Sequence, residues 1–122
     1  MMEYEVEDFN ALRRVLLRVC SFLASERFSE SAVFESKLIL SELASNVLQH
    51  GGGKAHLRVQ PVPGGIRLCV QGDVAFRPPE KSVCSSAEEE SGRGLFLVDA
   101  LSASREYSEE EGICVLLRVE RT

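Results

Sequence analysis

Apolar positions recur at two different periods along this chain. Leu12, Leu16, Val19 and Leu23 return every three or four residues, the spacing of a helix with one buried stripe, and predict a helix over residues 9–25. Asp8 precedes it as an N-cap, and Arg13, Arg14 and Arg18 fall on another side as a solvated basic flank. A second helix starts at Ser29 or Ser31 and runs to about His50, where three glycines, Gly51, Gly52 and Gly53, end it. Its Leu40, Leu43, Ala44 and Val47 can face a core. Elsewhere the chain reads as strands: a short edge strand over residues 2–7, a pair over 54–60 and 66–71, and a last pair over 103–108 and 113–120. The middle pair is joined by Pro61-Val-Pro-Gly-Gly65 and the last pair by Glu109-Glu-Glu-Gly112, both turn-forming compositions. Phe76-Arg-Pro-Pro79 interrupts regular structure, residues 80–90 form a polar, acidic loop, and a third helix is predicted over 91–102. The order β-α-α-β-β-loop-α-β-β gives an α+β fold, a two-layer sandwich with helices on one face of a largely antiparallel sheet. No internal repeat or linker divides the chain, so residues 1–122 read as a single domain.

Bulk composition narrows the function classes. With 44% hydrophobic and 27% charged residues the chain can bury a core, and its net charge of −5 argues against nucleic acid as the main partner. No apolar run approaches the roughly 20 residues that span a bilayer. The acidic start, Met1-Met-Glu-Tyr-Glu, lacks a signal peptide's layout, which points to the cytoplasm. Cys20, Cys69, Cys84 and Cys114 are far apart with no Cys-x-x-Cys pair, which argues against zinc and reads as four free thiols. Three of them, Cys20, Cys69 and Cys114, have apolar neighbours suited to a core, whereas Cys84 lies in a Ser/Glu-rich stretch and is expected to be exposed. His56, within a strand, reads as a surface histidine.

Candidate chemistry lies on the second helix. Glu42-Leu-Ala-Ser-Asn46-Val-Leu-Gln-His50 places a carboxylate, a carboxamide and an imidazole four residues apart, hence on one face, with Ile39 extending that stripe. A helix that only packs gains little from that arrangement beside a core. The pattern suits a base acting beside an amide that orders a metal.

A second motif, Ser91-Gly92-Arg93-Gly94-Leu95-Phe-Leu-Val98, leads through glycines into a helix. Glycines let the backbone approach an anion, and the free N–H groups of a helix start favour phosphate. Alone this is a common loop–helix junction. Together the two motifs resemble the N box and the second glycine box of the GHKL, or Bergerat-fold, ATPase/kinase superfamily, over about residues 8–120. The compact length and the Gly-Arg-Gly-Leu-Phe-Leu-Val wording most resemble the bacterial anti-sigma factor serine/threonine-protein kinases.

That resemblance implies a single histidine-kinase-like ATPase domain that uses ATP and Mg²⁺. Glu42 would be the catalytic base towards a substrate hydroxyl, and Asn46 would hold the Mg²⁺ that bridges the nucleotide phosphates. Gly92, Arg93, Gly94 and Leu95 would offer backbone N–H groups to those phosphates, and residues 80–91 would be a short lid. His50 would either cap its helix or order the phosphate side. Where the superfamily carries Asp-x-Gly-x-Gly, this chain reads Gln71-Gly72-Asp73-Val74-Ala75, so Gln71 or Asp73 would meet the adenine. The resemblance further implies transcriptional control: binding a sigma factor, phosphorylating a serine on an antagonist protein, and assembling as a homodimer. No direct nucleic-acid or membrane partner is implied. The altered 71–75 segment supports an alternative, a non-catalytic protein-binding module of the same fold that has lost nucleotide binding.

Overall fold

The computed structural model describes residues 1–50, 53–72, 104–108 and 110–119. The chain begins with β1 (Met2–Val6), followed by α1 (Phe9–Ser25) and α2 (Glu30–His50). Asp8 caps α1 as expected, its carboxylate accepting a 2.7 Å hydrogen bond from the Ala11 N–H. The other end closes with a doubled cap: the Arg27 N–H donates to the Ala24 carbonyl and the Phe28 N–H to that of Leu23. Arg27 adopts the left-handed φ of 69° that such a cap requires, and Phe28 and Leu23 are both buried. Ser29 then opens α2, its hydroxyl accepting from the Ala32 N–H at 3.2 Å.

Among the described residues four strands follow: β2 (Ala55–Val62), β3 (Gly65–Gly72), β4 (Ser104–Ser108) and β5 (Gly112–Arg118). β2 and β3 run longer than the sequence suggests because Val62 pairs with Gly65, leaving a two-residue turn at Pro63 and Gly64, the latter at φ 80°. Pro61 fits within β2 because β1 reaches only as far as Val59, so the missing N–H falls where β2 has a single neighbour. The predicted third helix, over 91–102, lies outside the described residues.

The sheet order is β1-β2-β3-β5-β4, with every neighbouring pair antiparallel. β3 and β4 therefore run in the same direction, with β5 between them. Alternation sorts the side chains into two faces. Val6, Leu57, Leu68, Val70, Val115 and others point towards the helices, where they meet Leu12, Leu16, Val19 and Leu23 of α1 and Leu40, Leu43, Ala44 and Val47 of α2. α2 lies chiefly over β3. Truncating one such leucine to alanine typically costs about 2–5 kcal/mol. This is the expected α+β sandwich with an antiparallel sheet. Ile39, expected to extend the polar stripe, is instead fully buried in the core. Three residues separate it from Glu42, enough of a rotation round the helix to turn it inward.

One expectation about thiols is corrected. Cys69 and Cys114, read as two free core thiols, are direct register partners on β3 and β5 and are joined as a disulfide. Sequence spacing could not reveal this, since 45 residues separate them. Cys20 is a free, half-buried thiol on α1, and Cys84 lies outside the described residues.

Candidate functional site

α2 carries Glu42 and Asn46 on its boundary side, next to the fully buried Leu43 and Ala44. Both are half-buried. Among the described residues neither side chain has a hydrogen-bond or ion-pair partner. A carboxylate and a carboxamide in register, at the rim of a core and with their polar atoms unspent, fit an Mg-nucleotide: the amide oxygen is a hard donor suited to Mg²⁺, and the carboxylate can accept a proton. His50, the last residue of α2, is exposed.

The C-terminal end of α2 and the C-terminal end of β3 meet at the same end of the sandwich. Five residue steps from His50 to Ala55 span at most about 18 Å, and Ala55 pairs with Gly72. Here the structure divides the predicted set. Gly72 falls in the helix-facing row with Val6 and Ala55, whereas Gln71 pairs with His56 in the row that faces away from the helices. Glu42 and Asn46 are thus brought together, and Gln71 is not brought to them, because strand alternation turns it to the other face. Asp73, Gly92, Arg93, Gly94 and Leu95 lie outside the described residues, as do residues 80–91.

That other face holds groups which reading the sequence motif by motif missed. Lys54 meets Glu5 at 2.9 Å and Glu7 at 3.3 Å, and the hydrogen bond to Glu5, then that to Glu7, raises its pKa. Glu111 accepts a 2.8 Å hydrogen bond from Arg67 and lies 3.6 Å from Arg58. The Arg67 hydrogen bond holds the Glu111 carboxyl below its ordinary pKa. Arg58 also meets Glu3 at 3.0 Å, and the His56 Nδ1 lies 3.6 Å from the Glu5 carboxylate. The signal was present in the sequence: at period two, Glu3 and Glu5, His56 and Arg58, and Arg67, Cys69 and Gln71 share a face.

An open cavity of about 530 Å³ lies there, lined by Glu5, His56, Arg58, Gln71 and Glu111 among others. A second, of about 490 Å³, lies between Phe28 and the Pro63–Gly64 turn at the opposite end of the sheet. Neither includes Glu42 or Asn46. The carboxylates lining the charged-face cavity are engaged in ion pairs, unlike Glu42, which has no side-chain partner among the described residues. Among the described residues no helix is long and apolar enough to cross a membrane.

A model of the histidine kinase-like ATPase domain matches residues 5–119, a span that contains every described element after β1 and part of β1 itself. No curated protein matches the chain.

Proposed function

The chain belongs to the histidine kinase-like ATPase domain family, and from that premise we propose that it is an ATP-dependent protein serine/threonine kinase of the anti-sigma factor type. Domains of this family bind ATP, typically with Mg²⁺. The observation that carries the reading is the half-buried Glu42–Asn46 pair at four-residue spacing on α2, without a side-chain partner among the described residues.

When bound, Mg-ATP supplies the phosphoryl group. The chain's own residues do the rest. In our reading Glu42 takes the proton of an acceptor hydroxyl, as a positioned carboxylate can. The Asn46 side-chain oxygen would hold the metal, and buried Val47 beside it anchors that turn of α2 against the core. Gly92, Arg93, Gly94 and Leu95 are the residues we assign to the phosphates, which backbone N–H groups of such a glycine-rich motif would bind. With Gln71 directed to the other face, Asp73 is our choice for the adenine contact. We further assign residues 1–122 to one domain, acting in the cytoplasm as a homodimer on a sigma factor and an antagonist protein.

Two measurements test this in order. Titration calorimetry should show Mg-dependent binding of ATP. Phosphotransfer to an antagonist protein should then fall by about 10²–10⁴-fold in Glu42→Ala, the usual worth of a positioned base, with stability changed by less than about 0.5 kcal/mol. Equal transfer by wild type and Glu42→Ala refutes the kinase. One observation favours a second reading, a non-catalytic binding module: Gln71 stands where relatives place an adenine-binding Asp and faces away from α2. Silence towards millimolar ATP and ADP would establish that reading instead.

A further inference from the structure

Cys69 and Cys114 sit on the sheet face away from the helices, yet they are only 1% and 7% exposed. They are direct partners across β3 and β5, with Cα atoms 4.1 Å apart. Their sulfurs and the Glu111 carboxylate lie within 4.8 Å of one another, a grouping that could suggest a metal site. Electrostatics argue otherwise. The Glu111 carboxylate is already engaged by Arg67 at 2.8 Å and faced by Arg58 at 3.6 Å, so a cation would have to displace one guanidinium and approach another. The two sulfurs are left to pair with each other.

The position of the bond gives it consequence. Cys69 is two residues before Gln71, and Cys114 is two residues after Gly112, whose backbone packs directly against Val70 and Gln71. Asp73, Gly92, Arg93, Gly94 and Leu95, the residues assigned above to nucleotide besides Glu42 and Asn46, follow β3 and precede β5 in the sequence. We propose that Cys69 and Cys114 are a reversible thiol–disulfide pair that locks β3 to β5 and so regulates the nucleotide site. The regulatory half rests on the ATP-binding reading; the bond itself does not. Disulfides in a reducing compartment are usually transient or redox-sensing, which fits a pair that is buried but adjacent to solvent at Cys114.

The chemistry balances with a low-molecular-weight disulfide as oxidant. The Cys114 thiolate attacks one sulfur of that disulfide, which breaks its S–S bond and releases one small thiolate. The Cys69 thiolate then attacks Cys114 in the mixed disulfide and releases the second. Two protein thiols are oxidised by two electrons, two small thiols are formed, and the two protons lost by the cysteines pass to those thiolates. A small dithiol reverses the sequence.

The test uses the full chain with Cys20→Ser and Cys84→Ser, so that only this pair can react. Oxidised glutathione should remove two hydrogens by mass spectrometry and yield a 69–114 cross-linked peptide, reversed by dithiothreitol. Absence of that peptide, or stoichiometric zinc binding by the reduced pair, overturns the proposal. Mg-ATP affinity by calorimetry should be at least about fivefold tighter in the oxidised chain, the lower end of ordinary coupling between sites, and insensitive to redox state in a Cys69→Ala/Cys114→Ala variant. Equal affinity in both states overturns the regulation. If neither state binds ATP, the kinase reading fails by itself. The lock is then judged by hydrogen exchange: slower exchange of β3 and β5 amides after oxidation supports it, and unchanged exchange overturns it.

Discussion

Two glycines with nearly the same backbone angle offer a matched experiment on how closely β5 approaches β3. Gly64 has φ 80° and Gly112 φ 77°, both in the left-handed region. Alanine there costs about 1–2 kcal/mol for its Cβ against its own backbone. It also narrows the unfolded ensemble, an effect of about 0.4–1 kcal/mol in the opposite direction. Both effects apply equally to the two sites and cancel in a comparison. What differs is space. A Cβ at Gly64 meets nothing within 4 Å, whereas one at Gly112 overlaps the Val70 carbonyl oxygen and comes within 2.7 Å of the Gln71 Cα and 2.8 Å of its Cβ. Most of those atoms are backbone in a paired strand, so relief requires β3 and β5 to move apart, with an overpacking cost of about 1–3 kcal/mol. Gly112→Ala should therefore be less stable than Gly64→Ala by that amount. At a urea m-value of about 2 kcal/mol/M, the midpoints should differ by roughly 0.5–1.5 M. Coincident midpoints for the two variants would refute the close approach, and with it the idea that β5 braces the end of β3.

Two further outcomes follow from individual side chains. The Ser36 hydroxyl is fully buried on α2 and has no hydrogen-bond partner among the described residues, so Ser36→Ala should stabilise the protein by about 1 kcal/mol in urea unfolding, by removing an unsatisfied group and adding helix propensity. Glu111 has its folded-state pKa lowered by Arg67, so its contribution is complete above the ordinary carboxylate value and disappears as pH falls through the lowered one. The stability difference between wild type and Glu111→Gln should therefore be present at neutral pH and vanish in acid.

Local chemistry made the helical half of this fold legible. α1 spans the residues its apolar period predicts, Asp8 caps it, and Ser29 is the choice between two candidate starts for α2. Strand existence was equally legible, and strand ends less so, because the Pro63–Gly64 turn needs only two residues where five are turn-like in composition. What the sequence concealed depends on pairings between distant segments. The Cys69–Cys114 bond and the Arg67–Glu111 contact bridge 45 and 44 residues, and only the β3–β5 register brings them together. For the candidate site, the spacing of Glu42 and Asn46 was readable as one helical face. Ile39 was misread because one apolar residue at the edge of a polar stripe can belong to either side. The facing of Gln71 needed the strand register, since a motif alignment carries no information about which side of a sheet a residue takes.

The β3–β5 pairing also bears on how this chain can change over evolutionary time. Six register pairs tie Gly65–Val70 to Ile113–Arg118, so a change of chain length between β3 and β4 leaves every one of those pairs in place. Doubling the length of a flexible connection costs only about 0.6 kcal/mol in closure entropy, less than the loss of one core leucine side chain. A single inserted residue between Glu42 and Asn46 would instead rotate everything beyond it by about 100°, separating the carboxylate from the carboxamide and turning Val47 out of the core. Descendants of this sequence are thus expected to vary in length between β3 and β4 and to keep α2 free of insertions.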